Sequence, residues 1–173
     1  MERCSECAGR RIAFATARAG VAYEGPARAL VAAWKERGLR TLATKLAELV
    51  QEAVPPPSAD VVVPVAGDPD RSLWRGQNTA EALARALARE WDLPVAQLLR
   101  RDRTIPRQRG LSRAARRANV RASFQARGRA PARVVLVDDV YTTGATVSAA
   151  ATELRRAGAR RVDVVTFARA VRR

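Results

Sequence analysis

Val134-Val135-Leu136-Val137-Asp138-Asp139-Val140-Tyr141-Thr142-Thr143-Gly144-Ala145-Thr146 is the stretch on which the fold turns. It opens on a continuous apolar run, which a strand buried on both faces of a parallel sheet requires. Two adjacent carboxylates close that strand. A turn of small hydroxyl residues around Gly144 follows. Residues 145–157 then read as an alanine-rich helix that Gly158 stops, and 161–168 return to β-branched residues. Strand, turn, helix and strand in this order form a parallel βαβ unit.

Working outward, the same grammar recurs. Residues 60–65 (Asp-Val-Val-Val-Pro-Val) form a short apolar strand, and a Gly/Asp/Pro/Arg loop runs on to Gln77. Asn78 with Glu81 has the spacing of a capping box and opens a helix to about Trp91. Residues 94–99 read as a second strand, and Val21-Ala22-Tyr23 as a short one. Residues 27–52 carry apolar stripes at helical spacing, with Gly38 dividing them into two helices and Pro55-Pro56-Pro57 ending the run. The fold class expected is α/β: an open, mainly parallel twisted sheet with flanking helices.

The chain has 173 residues, 47% of them hydrophobic, enough for about one domain with an ordinary core. No apolar run approaches the roughly 20 residues that span a bilayer, and Met1-Glu2-Arg3-Cys4 carries no apolar signal core. Membrane, secreted and fibrous classes are therefore excluded, and a cytoplasmic location is expected. The net charge is +15 with no histidine, and residues 100–133 hold 12 Arg against one Asp. A block like that must face anions, either the phosphates of a small ligand or nucleic acid. Arg109, Arg113, Arg116, Arg117 and Arg121 are the nucleic-acid candidates. Phe124 is the one aromatic residue there, so binding would be to phosphates rather than bases. Cys4 and Cys7 form one C-x-x-C, and without other Cys or His a tetrahedral zinc site cannot be completed within this chain.

Ligands of open α/β sheets bind beyond the carboxyl ends of the strands, where the acid pair and the turn fall. Backbone N–H groups at the start of the helix, with the hydroxyls of Thr142, Thr143 and Thr146, make a cradle for a phosphate. Gly144 permits close backbone approach or positive φ. Asp138 and Asp139 would accept hydrogen bonds from sugar hydroxyls, or share a Mg²⁺ with the ligand. Hydroxyl acceptors beside a phosphate cradle describe a ribose 5-phosphate pocket. The rival phosphate motifs, G-x-x-x-x-G-K-[ST] and G-x-G-x-x-G, do not occur.

Residues 134–146 resemble the phosphoribosyl pyrophosphate (PRPP) signature of type I phosphoribosyltransferases. That resemblance assigns Asp138 and Asp139 to the ribose hydroxyls, and Tyr141, Thr142, Thr143, Gly144, Ala145 and Thr146 to the 5-phosphate. The remainder resembles the ComF-type branch, associated with competence and DNA uptake in bacteria. The matching segments are Val63-Pro64-Val65 with Arg75-Gly76-Gln77-Asn78, then Tyr23 and Gly25, Trp34-Lys35 and Gly38. Arg103-Thr104, Gln108, Leu111, Arg116 (or Arg117), Asn119 and Phe124 complete the pattern. The likeness spans about residues 4–170. It departs at Gln77, where the branch carries an aromatic residue, and at the N-terminus, where one cysteine pair stands in place of a two-pair zinc ribbon.

The resemblance implies a ribbon remnant over 1–20 and a phosphoribosyltransferase-like domain over 21–173. Within that domain, 21–57 would form a small hood with helices and 58–173 the α/β core. It implies Mg²⁺-assisted displacement of pyrophosphate from ribose C1, with Arg75 on the pyrophosphate and Arg103 and Arg107 closing over the site. The alternative is a non-catalytic module that senses PRPP or a nucleotide and binds single-stranded DNA of the uptake machinery. A homodimer is expected from the fold, and no motif reads out the acceptor base.

Overall fold

The computed structural model describes residues 12–37, 41–67, 78–101 and 124–170. Valine-rich β2 (Val61–Pro64), β5 (Arg133–Tyr141) and β6 (Arg161–Arg169) lie side by side in one parallel sheet with β1 (Thr16–Ala22). The order is β1-β6-β5-β2, with Val134 level with Val162 and Val61 level with Val134. β5 and β6 are thus neighbours both in sequence and in the sheet, whereas β1 and β2 lie at opposite edges, and helices make the crossovers. These are α1 (Gly25–Arg37), α2 (Leu42–Ala53), α3 (Thr79–Glu90) and α4 (Ala145–Arg156). A separate antiparallel pair, β3 (Leu99–Arg101) with β4 (Phe124–Ala126), packs nearby.

Strand alternation divides the core in two, because successive side chains point to opposite faces. Val134, Leu136, Val162 and Val164 meet Val147, Ala151 and Leu154 of α4. Val135, Val137, Val165 and Phe167 meet Trp34, Leu46, Val50, Leu83 and Leu87 from α1, α2 and α3. On that second face α2 sits close to β1: a Cβ added at Gly20 would lie 2.9 Å from Val50 Cα.

Three local expectations change. The short strand read at 21–23 is seven residues long and begins at Thr16; pairing with β6 fixes it where the Ala/Arg/Gly-rich sequence has little β-propensity. The segment expected as hood and helices therefore also supplies the end of a core strand. Residues 94–99 are not one strand: Val95 makes a single bridge to Val62, and the chain leaves the sheet before β3 begins. Asn78 caps α3 by accepting from the Ala80 amide at 3.1 Å, but Glu81 turns outward to Arg85 instead of closing a capping box.

Candidate functional site

β5 runs four residues beyond the apolar run that announced it, pairing Asp138 with Thr166 and Tyr141 with Arg169. Both carboxylates are therefore inside a strand and are directed to opposite faces. Asp139 enters the α1–α3 side. Lys35 Nζ of α1 donates to its Oδ1 at 2.9 Å, and Thr79 Oγ1 at the start of α3 donates to its Oδ2. Both oxygens are occupied. Asp138 stands on the α4 side and accepts the Asp139 amide through Oδ1 at 2.9 Å. Its Oδ2 has no protein partner among the described residues. Burial, then the adjacent Asp139 charge, push the Asp138 carboxyl up to about 7, against the pull of Lys35 and Arg101.

The contact from Lys35 fixes how α1 lies. Tyr23, just before α1, bonds to Arg169 at the carboxyl end of β6. Ten residues into helix, about 15 Å along its axis, Lys35 is still at the carboxyl end, now over β5. Two strand spacings are about 10 Å. The helix therefore crosses the carboxyl edge from β1 toward β5, anchored by the fully buried Trp34.

The turn after β5 is shaped by Gly144, at φ 72°. A Cβ there would run into the Tyr141 ring, 2.6 Å from Cζ. Tyr141 is buried, edge-on to Phe14, with the Arg169 guanidinium over its ring. Thr142 and Thr143 are exposed, Thr146 is half-buried, and Thr143 Oγ1 accepts the Ala145 amide at 3.4 Å. The first amides of α4 have no intrahelical acceptor, which leaves a partial positive charge at this turn.

Two ties hold the neighbouring connections at the same edge. Asn78 Nδ2 donates to Val65 O at 3.3 Å, and Arg101 Nε donates to Ala66 O at 3.3 Å. Arg101 is also level with Phe124 and lies over its ring at 5.0 Å. The basic segment 102–123 thus leaves and returns on one rung, and that rung is fastened beside the acid pair.

The structure brings Asp138, Asp139, Tyr141, Thr142, Thr143, Gly144, Ala145 and Thr146 together at one strand end. Arg75, Arg103, Arg107, Arg109, Arg113, Arg116, Arg117, Arg121, Cys4 and Cys7 lie outside the described residues. Lys35, Thr79 and Arg101 were not singled out as site residues. Lys35 did carry a signal: the chain has only two lysines among 32 basic residues. Among the described residues, no cluster of three or more Asp, Glu, Cys or His suits a metal ion, and no helix is long and apolar enough to cross a membrane.

Comparison with known proteins agrees with this geometry. The phosphoribosyl transferase domain family matches residues 40–173. Competence protein F of Haemophilus influenzae (strain ATCC 51907 / DSM 11121 / KW20 / Rd) is 35% identical over 116 residues, covering 64% of this chain and 51% of that protein. The chain thus spans about half the length of that curated relative. Among solved structures, the glutamine PRPP amidotransferase of B. subtilis, complexed with ADP and GMP, has a TM-score of 0.51 and 27% identity, over 73% of this chain and 26% of that one. A structure described as the allosteric regulatory enzyme of purine biosynthesis has a TM-score of 0.50 and 30% identity, over 73% and 25%. The chain belongs to the phosphoribosyl transferase domain family, as a ComF-type, type I phosphoribosyltransferase-like protein.

Proposed function

We propose that this chain binds PRPP at the carboxyl end of β5 and transfers its phosphoribosyl group to an acceptor. The observation that carries the reading is the acid pair on β5 leading directly into a positive-φ glycine turn at the start of α4. The 5-phosphate would rest on the amides and hydroxyls of 142–146, and the ribose diol would face the acid pair. In the reaction, the acceptor forms a bond to ribose C1 as the C1–O bond to pyrophosphate breaks, and the electron pair leaves with pyrophosphate. Arg75 is proposed to meet that leaving group, and Arg103 and Arg107 to close over it.

The donor set fits Mg²⁺ carried on the ligand's own oxygens. Asp139 is already committed to Lys35 and Thr79, which among the described residues leaves Asp138 Oδ2 as the open carboxylate oxygen of the pair. Such an ion would neutralise the pyrophosphate. The relative's name, Competence protein F, supports a link to competence.

A second reading rests on the 12 Arg of residues 100–133. On it, the pocket senses PRPP or a nucleotide without turnover, while this segment holds single-stranded DNA. The deciding experiment is calorimetric titration of PRPP with Mg²⁺ into wild-type protein and an Asp138→Asn/Asp139→Asn variant, with pyrophosphate release assayed across candidate bases. Saturable binding lost in the variant supports the pocket, and pyrophosphate release with any base supports transfer. No binding by the wild-type protein refutes both readings of the pocket.

A further inference from the structure

Lys35 belongs to a helix that the ribose 5-phosphate reading did not need, yet its ammonium is 2.9 Å from an acid-pair oxygen. The pair is not interchangeable. Asp139 has one oxygen on Lys35 and the other on Thr79, and its side chain is 13% exposed. Asp138 has one oxygen on a backbone amide and one without a protein partner among the described residues. Among the described residues, the oxygen of the pair that a sugar hydroxyl would meet without a protein donor already on it is Asp138 Oδ2. The face that holds Asp138 is also the face of α4 and its turn, so phosphate and diol would be met on the same side.

We infer that Lys35 is a positioning residue that acts on the ligand through Asp139, holding that carboxylate on the α1–α3 side so that Asp138 is the ribose acceptor. This rests on the PRPP reading and assigns its two carboxylates different work. Without Lys35, the Asp139 side chain has only the Thr79 hydroxyl to hold it, next to the acceptor. Without Asp139, the ammonium is left with Asp138, on which it already pulls, and would occupy the oxygen the ribose needs. Either loss damages the same acceptor through the partner that is left behind.

The test is a double-mutant cycle on PRPP affinity in the presence of Mg²⁺, read by calorimetry, with Lys35→Met, Asp139→Asn and the two combined. Each single change is expected to weaken binding about tenfold, the size of one hydrogen bond to a charged group. The double variant, which leaves neither the ammonium nor the carboxylate, is expected to recover toward wild-type affinity rather than reach about a hundredfold loss. Lys35→Arg, which keeps the charge, should recover most of the affinity, and Asp138→Asn should lose at least about tenfold. Far-UV circular dichroism confirms folding, and the double variant leaves no unpaired charge if a single variant does not fold.

Losses that multiply would overturn the inference, since Lys35 or Asp139 would then touch the ligand independently. So would Lys35→Met binding like wild type, or Asp138→Asn retaining full affinity. Failure of the PRPP reading looks different: the wild-type protein itself would give no heat with PRPP.

Discussion

Gly144→Ala puts the turn at the end of β5 to a quantitative test. The residue sits at φ 72°, where a Cβ costs roughly 1–2 kcal/mol by itself. That Cβ would stand 2.6 Å from Tyr141 Cζ and 3.2 Å from Cε2, inside the ~3.5–4.0 Å at which carbons touch. The ring has little room to retreat, being 6% exposed, edge-on to Phe14 at 6.5 Å and under Arg169 at 5.0 Å. Displacing it is overpacking, worth about 1–3 kcal/mol. Together the two effects cost about 2–5 kcal/mol, a large share of the ~5–15 kcal/mol that holds a domain folded. Equilibrium urea unfolding measures this loss as a lower midpoint with unchanged slope. Repeating it in a Tyr141→Phe background, which removes the atom nearest the new Cβ, should show coupling of about 0.5–3 kcal/mol. A Gly144→Ala protein within about 0.5 kcal/mol of wild type would refute the argument that Gly144 is required by both conformation and contact.

Gly20→Ala should cost about 1–3 kcal/mol in the same assay, because its Cβ meets Val50 Cα at 2.9 Å and the Leu49 carbonyl at 3.3 Å, pushing α2 off β1. Asp138, raised from 3.8 to about 7, gives a pH prediction. Between those values the unfolded chain releases its proton and the folded one keeps it. Stability is therefore full below pH 4 and declines as pH rises toward 7. Asp138→Asn should flatten that decline, as urea midpoints at pH 5 and pH 8 would show. Asp139→Ala should destabilise by about 1–3 kcal/mol, because the partly buried bonds from Lys35 and Thr79 lose their acceptor. If the basic segment holds single-stranded DNA, fluorescence anisotropy with a labelled oligothymidine should show affinity falling about a thousandfold or more between 50 and 200 mM salt, as six or more phosphate contacts dictate.

The architecture was legible wherever one face of an element is wholly apolar. The valines of β2, β5 and β6 announce strands buried on both sides, and Gly158 ends α4 with its positive φ. What could not be read was imposed by partners. β1 is a strand because β6 offers nine residues to pair with, and nothing in Thr-Ala-Arg-Ala-Gly-Val-Ala demands it. The extension of β5 through Asp138, Asp139 and Tyr141 has the same origin, since aspartate is a poor strand former. That extension decides the site. Read as the end of a strand, two adjacent acids look equivalent; read as strand positions, they belong to different faces. Lys35 and Thr79 come from helices 104 and 60 residues away from Asp139 in sequence, beyond any local pattern.

A parallel sheet also explains why so many separate segments reach this edge. Every strand ends on the same side, so each crossover begins there. The loop after β2 departs beyond Ala66, the turn after β5 enters α4, and α1 arrives from β1 across two strand spacings. The antiparallel β3–β4 pair adds one more, because its rung Arg101–Phe124 is tied to Ala66. Residues 102–123 carry seven Arg against one Asp, and both ends of that segment are fixed beside Asp138. Loop-closure entropy rises only as the logarithm of length, so a segment of this size is cheaply returned to the rung it left. Arg101 itself lies close enough to pull on the Asp138 carboxyl. Arg101→Ala should therefore weaken PRPP binding through loss of its own charge and of the tie to Ala66 together, while Arg85, exposed and paired with Glu81, should be replaceable by Ala without effect. Equal losses from both changes, measured by calorimetry, would show general basicity acting and the anchored segment contributing nothing.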